Sequence, residues 1–205
     1  MRNVAALLIL TGSITILGCG SNDVPEPSGP TAPPAANGHS TPTNTTEVKA
    51  DGVTLEIKSW DETLAVVAEQ KGKIVVLDLW STSCQPCMDE FPHLVELHKQ
   101  YGGDKLICLS ANCDYIGLKN KLPETYKANV LEFLGKQQAT FPNVLLNIES
   151  DALFDQIKLA SIPAVFVFGF DGQVAKRFDN DNSKQGEDFT YQKNIVPFVE
   201  SLLTQ

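Results

Sequence analysis

Lys73-Ile74-Val75-Val76-Leu77-Asp78-Leu79-Trp80-Ser81-Thr82-Ser83-Cys84-Gln85-Pro86-Cys87 carries two signals in one stretch. Its first half is a nearly continuous apolar run, which fits a central strand buried on both faces. Its second half sets two cysteines three apart where a helix is predicted to begin, over 84–100. Helix N-termini carry unpaired N–H groups and partial positive charge, and both stabilise an anion. Cys84 at that end is therefore expected to be partly thiolate near neutrality. Only the thiolate attacks a disulfide. Cys87 lies one turn on and on the same helical face, placed to attack the mixed disulfide and release product. Pro86 lacks an N–H, which a first turn leaves unpaired in any case. A Cys-x-x-Cys pair in this strand-to-helix context is a strong redox signal.

Working outward, Ser59 precedes Glu62 by three, the capping-box spacing. Leu64, Val67 and Ala68 then recur at helical intervals, which predicts a helix from Trp60 to about Gln70 after a short strand over 53–57. Gly102 and Gly103 end the helix that follows the cysteines. The apolar run over 105–110 predicts a second central strand, and 111–125 reads as irregular. Helical periodicity covers 126–138, followed by a short strand over 143–146 and a short helix over 152–159. Residues 164–168 are strongly β-prone, and Asp171-Gly172 is a hairpin turn signal before a strand over 174–178. A closing helix is expected over 191–203, with Pro197 near its start or at a kink. Strands and helices alternate and a hairpin and helix close the chain, so the expected class is an α/β sandwich around a mixed sheet.

The 205 residues fit one domain with appendages better than two domains. A net charge of −9 without a basic stripe argues against nucleic acid as a partner. At the N-terminus, Arg2 precedes an apolar stretch over 4–17. That is short for a membrane span, which needs roughly 20 residues, and suits the core of a signal peptide. Ile16-Leu17-Gly18-Cys19 resembles a bacterial lipoprotein signal, in which the cysteine is lipidated and becomes the new N-terminus. Leu17 is bulky for its place in that pattern, and the other reading is an uncleaved signal anchor. Both export the domain. The expected organisation is a signal peptide over 1–18, a lipidated Cys19 with a flexible tether over 19–50, and one folded domain over 51–205. The tether follows from its Pro, Ser, Thr and Asn content, which buries too little surface to offset ordering.

Over about 53–203 the chain resembles thioredoxin-like proteins, the TlpA/ResA-like thiol–disulfide oxidoreductases in particular. Trp80, Cys84, Pro86 and Cys87 match W-x-x-x-C-x-P-C, Glu90 and Pro92 match C-x-x-E-x-P, and Ile162-Pro163 matches the cis-proline segment. The resemblance implies a three-layer sandwich with a mixed central sheet flanked by helices and a helix-plus-strand insertion around 111–143. It implies that Trp80, Pro86, Ile162 and Pro163 meet substrate and that Glu90 and Pro92 support the site. No cofactor beyond the redox-active Cys84–Cys87 disulfide and no metal is implied. The implied partners are disulfides of exported proteins, apocytochrome c among them, and a membrane thiol transporter as electron donor. The location implied is extracytoplasmic, anchored to the membrane. Ser83 departs from the aromatic residue that relatives carry before the first cysteine.

Asp78 sits six before Cys84, where thioredoxins proper place a buried carboxylate. There it is a candidate to accept the Cys87 proton during resolution, with its pKa raised by burial; the alternative is a strand-end acid facing water. Three other functions fit the sequence less well. A zinc site from Cys84, Cys87, Cys108 and Cys113 is disfavoured because Cys108 lies inside an apolar strand. A metallochaperone lacks the distant histidine, since His39, His93 and His98 fall elsewhere. A non-catalytic binding module would not need the intact cysteine pair. Cys108 reads as a buried small hydrophobe; Cys113 reads as a free thiol or a partner for Cys108. Gln85 and Pro86 add neither charge nor N–H donor between the cysteines, which points to a reducing couple.

Overall fold

The computed structural model describes residues 52–180 and 189–204. The expected leader, Cys19, His39 and the tether lie outside them. The elements run β1 (Glu56–Lys58), α1 (Trp60–Glu69), β2 (Ile74–Trp80), α2 (Gln85–Tyr101), β3 (Leu106–Asn112), α3 (Lys127–Gln137), β4 (Asn143–Leu146), α4 (Ser150–Ile157), β5 (Ala164–Phe168), β6 (Val174–Asp179) and α5 (Val196–Leu203). A short 3-10 turn, Pro123–Tyr126, leads into α3, and a π-type turn, Tyr191–Ile195, leads into α5.

One sheet holds the strands in the order β1-β4-β3-β2-β5-β6. The first four are mutually parallel, while β5 pairs antiparallel with both β2 and β6. This is the mixed α/β sandwich expected. Strand β2 is central and buried at all seven positions, as its apolar run demands. Even-numbered Ile74, Val76 and Trp80 face a core built with α2, α3 and α5, and odd-numbered Val75, Leu77 and Leu79 face one built with α1 and α4. Helix α3 leads into strand β4, which seats itself between β1 and β3.

The capping box forms at α1: the Glu62 N–H donates to Ser59 Oγ at 3.2 Å, and the Ser59 N–H donates to Glu62 Oε2 at 2.7 Å. Three expectations need correction. Strand β3 runs on to Asn112 rather than stopping at 110, because Ala111 and Asn112 pair with Leu79 and Trp80 on one side and Val144 and Leu145 on the other. The first strand is Glu56–Lys58, set by register with Val144, Leu145 and Leu146. Helix α4 ends at Ile157, where Lys158 turns left-handed at φ 55°. Among the described residues, no helix is long and apolar enough to cross a membrane.

Candidate active site

Strand β2 ends at Trp80, three residues turn over the sheet edge, and Cys84 is the N-cap of α2. The order follows from the sequence: the apolar run forces the strand inward, and the Pro86 ring suits the first helical turn, which needs no N–H there. Cys84 and Cys87 are joined by a disulfide with Cα atoms 5.3 Å apart. Cys84 is half-buried, whereas Cys87 is 3% exposed. The Cys87 N–H points at Cys84 Sγ from 3.3 Å. The outer sulfur thus sits in the positive end of a 17-residue helix with a donor aimed at it. Its other neighbour is the Ile162 carbonyl oxygen, 3.9 Å away, and the Ile162–Pro163 peptide is cis. A groove of about 430 Å³ opens beside Cys84, lined by Ser81, Ser83, Ile116, Phe154 and Ile162 among others.

Asp114 clamps the turn that presents Cys84. Its Oδ1 accepts from Ser81 Oγ at 2.6 Å and from the Thr82 N–H at 2.7 Å, and its Oδ2 accepts from Thr82 Oγ1 at 2.6 Å. The Ser81 and Ser83 hydroxyls then bond each other at 2.8 Å. The sequence offers no sign of this, since Asp114 falls in the stretch read as irregular and its partners lie 32 and 33 positions away.

Asp78 does not face water. It alternates with Val76 and Trp80 onto the α2 side of the sheet and is 4% exposed. Burial pushes its pKa up to about 7; the Tyr191 hydroxyl works against that shift and the charge of Glu90 adds to it. Tyr191 Oη donates to Asp78 Oδ2 at 2.5 Å. The Tyr191 N–H donates to Glu90 Oε2 at 2.9 Å. Tyr191 is a residue that sequence reasoning missed, because nothing local links it to an acid 113 positions earlier.

Trp80 was expected to meet substrate. It is fully enclosed, with its ring 4.9 Å from Phe91 and 4.8 Å from Phe133, so it underlies the site from the core instead. Pro86 is exposed beside the disulfide, and Pro92 lies within α2. Cys108 and Cys113 are both free and buried. They face opposite sides of the sheet, which separates them from each other. Burial pushes both thiols up in pKa, with Asp78 adding to each and Asp114 to Cys113. His93 pairs with Glu96 on the surface at 3.0 Å. His98 packs edge-on against Phe141, and burial lowers its pKa.

The Redoxin family model matches residues 36–195. The chain belongs to the Redoxin family. The redoxin is 27% identical over 129 residues to the thiol-disulfide oxidoreductase ResA of Bacillus thuringiensis (strain Al Hakam), covering 62% of this chain and 66% of that one. It is 27% identical over 110 residues to ResA of Bacillus subtilis (strain 168), covering 54% and 55%. The match therefore spans just under two thirds of the first of these relatives and about half of the second. Among solved structures, a DsbF homologue from Corynebacterium diphtheriae aligns over 66% of this chain and 76% of that one, at 24% identity and a TM-score of 0.49.

Proposed function

We propose that this redoxin is an extracytoplasmic protein thiol–disulfide oxidoreductase that reduces disulfides of exported proteins, with Cys84 attacking and Cys87 resolving. The observation that carries the reading is the asymmetry of the pair. Cys84 is the accessible sulfur and holds the helix N–H donor, while Cys87 is enclosed behind it. In the reduced protein the Cys84 thiolate attacks one sulfur of the substrate disulfide, and the other leaves as a thiolate that takes a proton from water. Cys87 gives its proton to the Asp78 carboxylate and attacks Cys84 Sγ. The bond between Cys84 and the substrate breaks, the second substrate sulfur leaves as a thiolate that takes a proton from water, and two electrons have passed from the protein to the substrate. An acid with a pKa of about 7 suits this exchange near neutrality.

Apocytochrome c is one exported disulfide of the right class, and a membrane thiol transporter is the matching electron source. Lipidation at Cys19 and the tether keep the domain near that source. Ile162 and Pro163 offer the substrate a backbone edge beside Cys84, and exposed Pro86 flanks it. Glu90 and Pro92 support the site from within α2.

The test is a trapping experiment. Cys87→Ser mixed with a disulfide-bonded exported protein accumulates a mixed disulfide through Cys84, identified by mass spectrometry. An adduct on Cys108 or Cys113 would overturn the assignment. For direction, the couple should equilibrate with dithiothreitol at a potential more negative than about −180 mV, the value of the disulfide isomerase; a more positive potential would make this an oxidase or isomerase.

A further inference from the structure

From its two hydrogen bonds we infer that Tyr191 is a positioning residue for the resolving step, its phenol holding the Asp78 carboxylate in a state that takes the Cys87 proton. The inference rests on the proposed role of Asp78 and goes beyond it by naming the group that makes that role workable. Asp78 is enclosed in the core at 4% exposure. The titratable groups that interact with it are Glu90 on α2, Cys108 on β3, Cys113 just after β3, and Tyr191 itself, while Cys87 on α2 belongs to the core on the same side of the sheet. Opposite it in register stand Ser110 on β3 and Val165 on β5, while α5 brings Val199 to the same core. None of these is a cation. A carboxylate so enclosed, with a second acid near, favours its protonated form and makes a poor base.

The Tyr191 hydroxyl is the donor that offsets this, at 2.5 Å from Asp78 Oδ2. It stays a donor through the working range, since burial and the Asp78 charge hold the phenol well above its ordinary pKa. The same residue binds the second acid through its backbone N–H, 2.9 Å from Glu90 Oε2. Its backbone is fixed independently of the hydroxyl. Thr190 Oγ1 accepts from the Lys193 N–H at 3.2 Å, and the Thr190 N–H donates to Asn194 Oδ1 at 2.9 Å. The ring is 1% exposed and packed in the core. Tyr191→Phe therefore removes one hydroxyl and leaves ring and backbone in place.

The experiment reads resolution alone. The reduced full chain is mixed with 5,5′-dithiobis(2-nitrobenzoate). The first thiolate release marks formation of the mixed disulfide at Cys84. The second marks attack by Cys87 on Cys84 Sγ with departure of the aromatic thiolate. Stopped-flow rates of the second release are taken from pH 5 to pH 9. In the wild type the rate rises through a midpoint set by Asp78. Tyr191→Phe should move that midpoint up by about one pH unit, the size of a lost hydrogen bond to a charged group. The rate then falls about tenfold below both midpoints and converges with the wild type above them. Asp78→Asn should abolish the midpoint, and the double variant should match Asp78→Asn.

A fall by the same factor at every pH would mean that Tyr191 is only structural, and would overturn the inference while leaving Asp78 in its role. A wild-type midpoint that survives in Asp78→Asn would instead overturn the reading of Asp78. Should Tyr191→Phe fail to fold, 3-fluorotyrosine at position 191 keeps the ring and strengthens the donor. It must then move the midpoint down, and an unmoved midpoint overturns the inference.

Discussion

The protein carries two pairs of cysteines whose surroundings are opposite in kind. Cys84 and Cys87 sit at the open end of α2, with a helix N–H on the outer sulfur and a groove beside it. Cys108 and Cys113 sit on β3 and just beyond it, enclosed, on opposite faces of the sheet and near carboxylates. The same thiol is made reactive in one place and inert in the other by two quantities: exposure and the sign of the nearest charge. The spacing of the second pair, Cys-x4-Cys, says nothing of this. A strand turns successive side chains to opposite faces, so closeness in sequence along β3 does not bring two sulfurs together.

The largest effect that tests this contrast is chemical selectivity. Iodoacetamide added to the reduced protein should modify Cys84 at least a hundredfold faster than Cys108 or Cys113, which should react only as the fold opens in denaturant. Peptide mapping of timed samples checks it. Rapid native labelling of Cys108 would break the contrast outright.

Asp78 ties the two pairs together, since its charge bears on Cys108 and Cys113 while its proposed proton partner is Cys87. Its folded pKa of about 7 lies above the ordinary 3.8. The folded state thus binds this proton more tightly than the unfolded chain. The stability this contributes is fully present below about pH 4 and is lost as pH rises through 7. Asp78→Asn removes that loss. The variant should gain on the order of 4 kcal/mol over the wild type at pH 8 and little at pH 4. Urea unfolding at the two pH values measures it, and an equal effect at both would show that the carboxylate titrates normally.

The redox pair was legible because its signals are local. An apolar run, two cysteines three apart and a proline fall within one strand–turn–helix, and the capping box of α1 spans four residues. Strands β4 and β5 were likewise readable to the residue from their composition. What stayed hidden is non-local. Tyr191 and Asp114 reach their partners across 113 and 33 positions. The last two residues of β3 are strand only because two neighbours pair with them. The end of α4 was hidden for another reason: lysine, not glycine, takes the left-handed position after it. Trp80 was misjudged because a motif match tells which residue is retained, not which side of it faces solvent.

Asp114 offers a middle-sized test of the reactive pair. Asp114→Ala leaves the buried Ser81 hydroxyl and the Thr82 N–H without their acceptor. The expected cost is about 2 kcal/mol of stability, together with a slower first attack, because Cys84 loses the turn that presents it. Asp114→Asn keeps the shape and should recover about half of the loss. Denaturant midpoints and initial rates with a disulfide peptide check both. Unchanged rates in Asp114→Ala would mean that the helix alone positions Cys84.

The smallest effect separates the two inert thiols from each other. Cys108 is wholly enclosed on the α2 side of the sheet, among groups that include Asp78 and Tyr191. Cys113 is 3% exposed and lines the groove beside Cys84. Replacing either by alanine removes one sulfur atom, so the transfer cost is the same, and any difference comes from the space left behind. A gap at Cys108 is shut off from solvent by the enclosing core, and close-packed strands cannot collapse onto it. A gap at Cys113 opens onto the groove, where solvent enters freely. Cys108→Ala should therefore cost about 1 kcal/mol and Cys113→Ala less than half of that. Neither should change the rate of disulfide reduction more than about twofold, since neither sulfur takes part in the exchange. A larger cost at Cys113 would mean that its sulfur props the groove wall. In that case Cys113→Ala should also weaken substrate capture at Cys84, read as a raised KM with kcat unchanged.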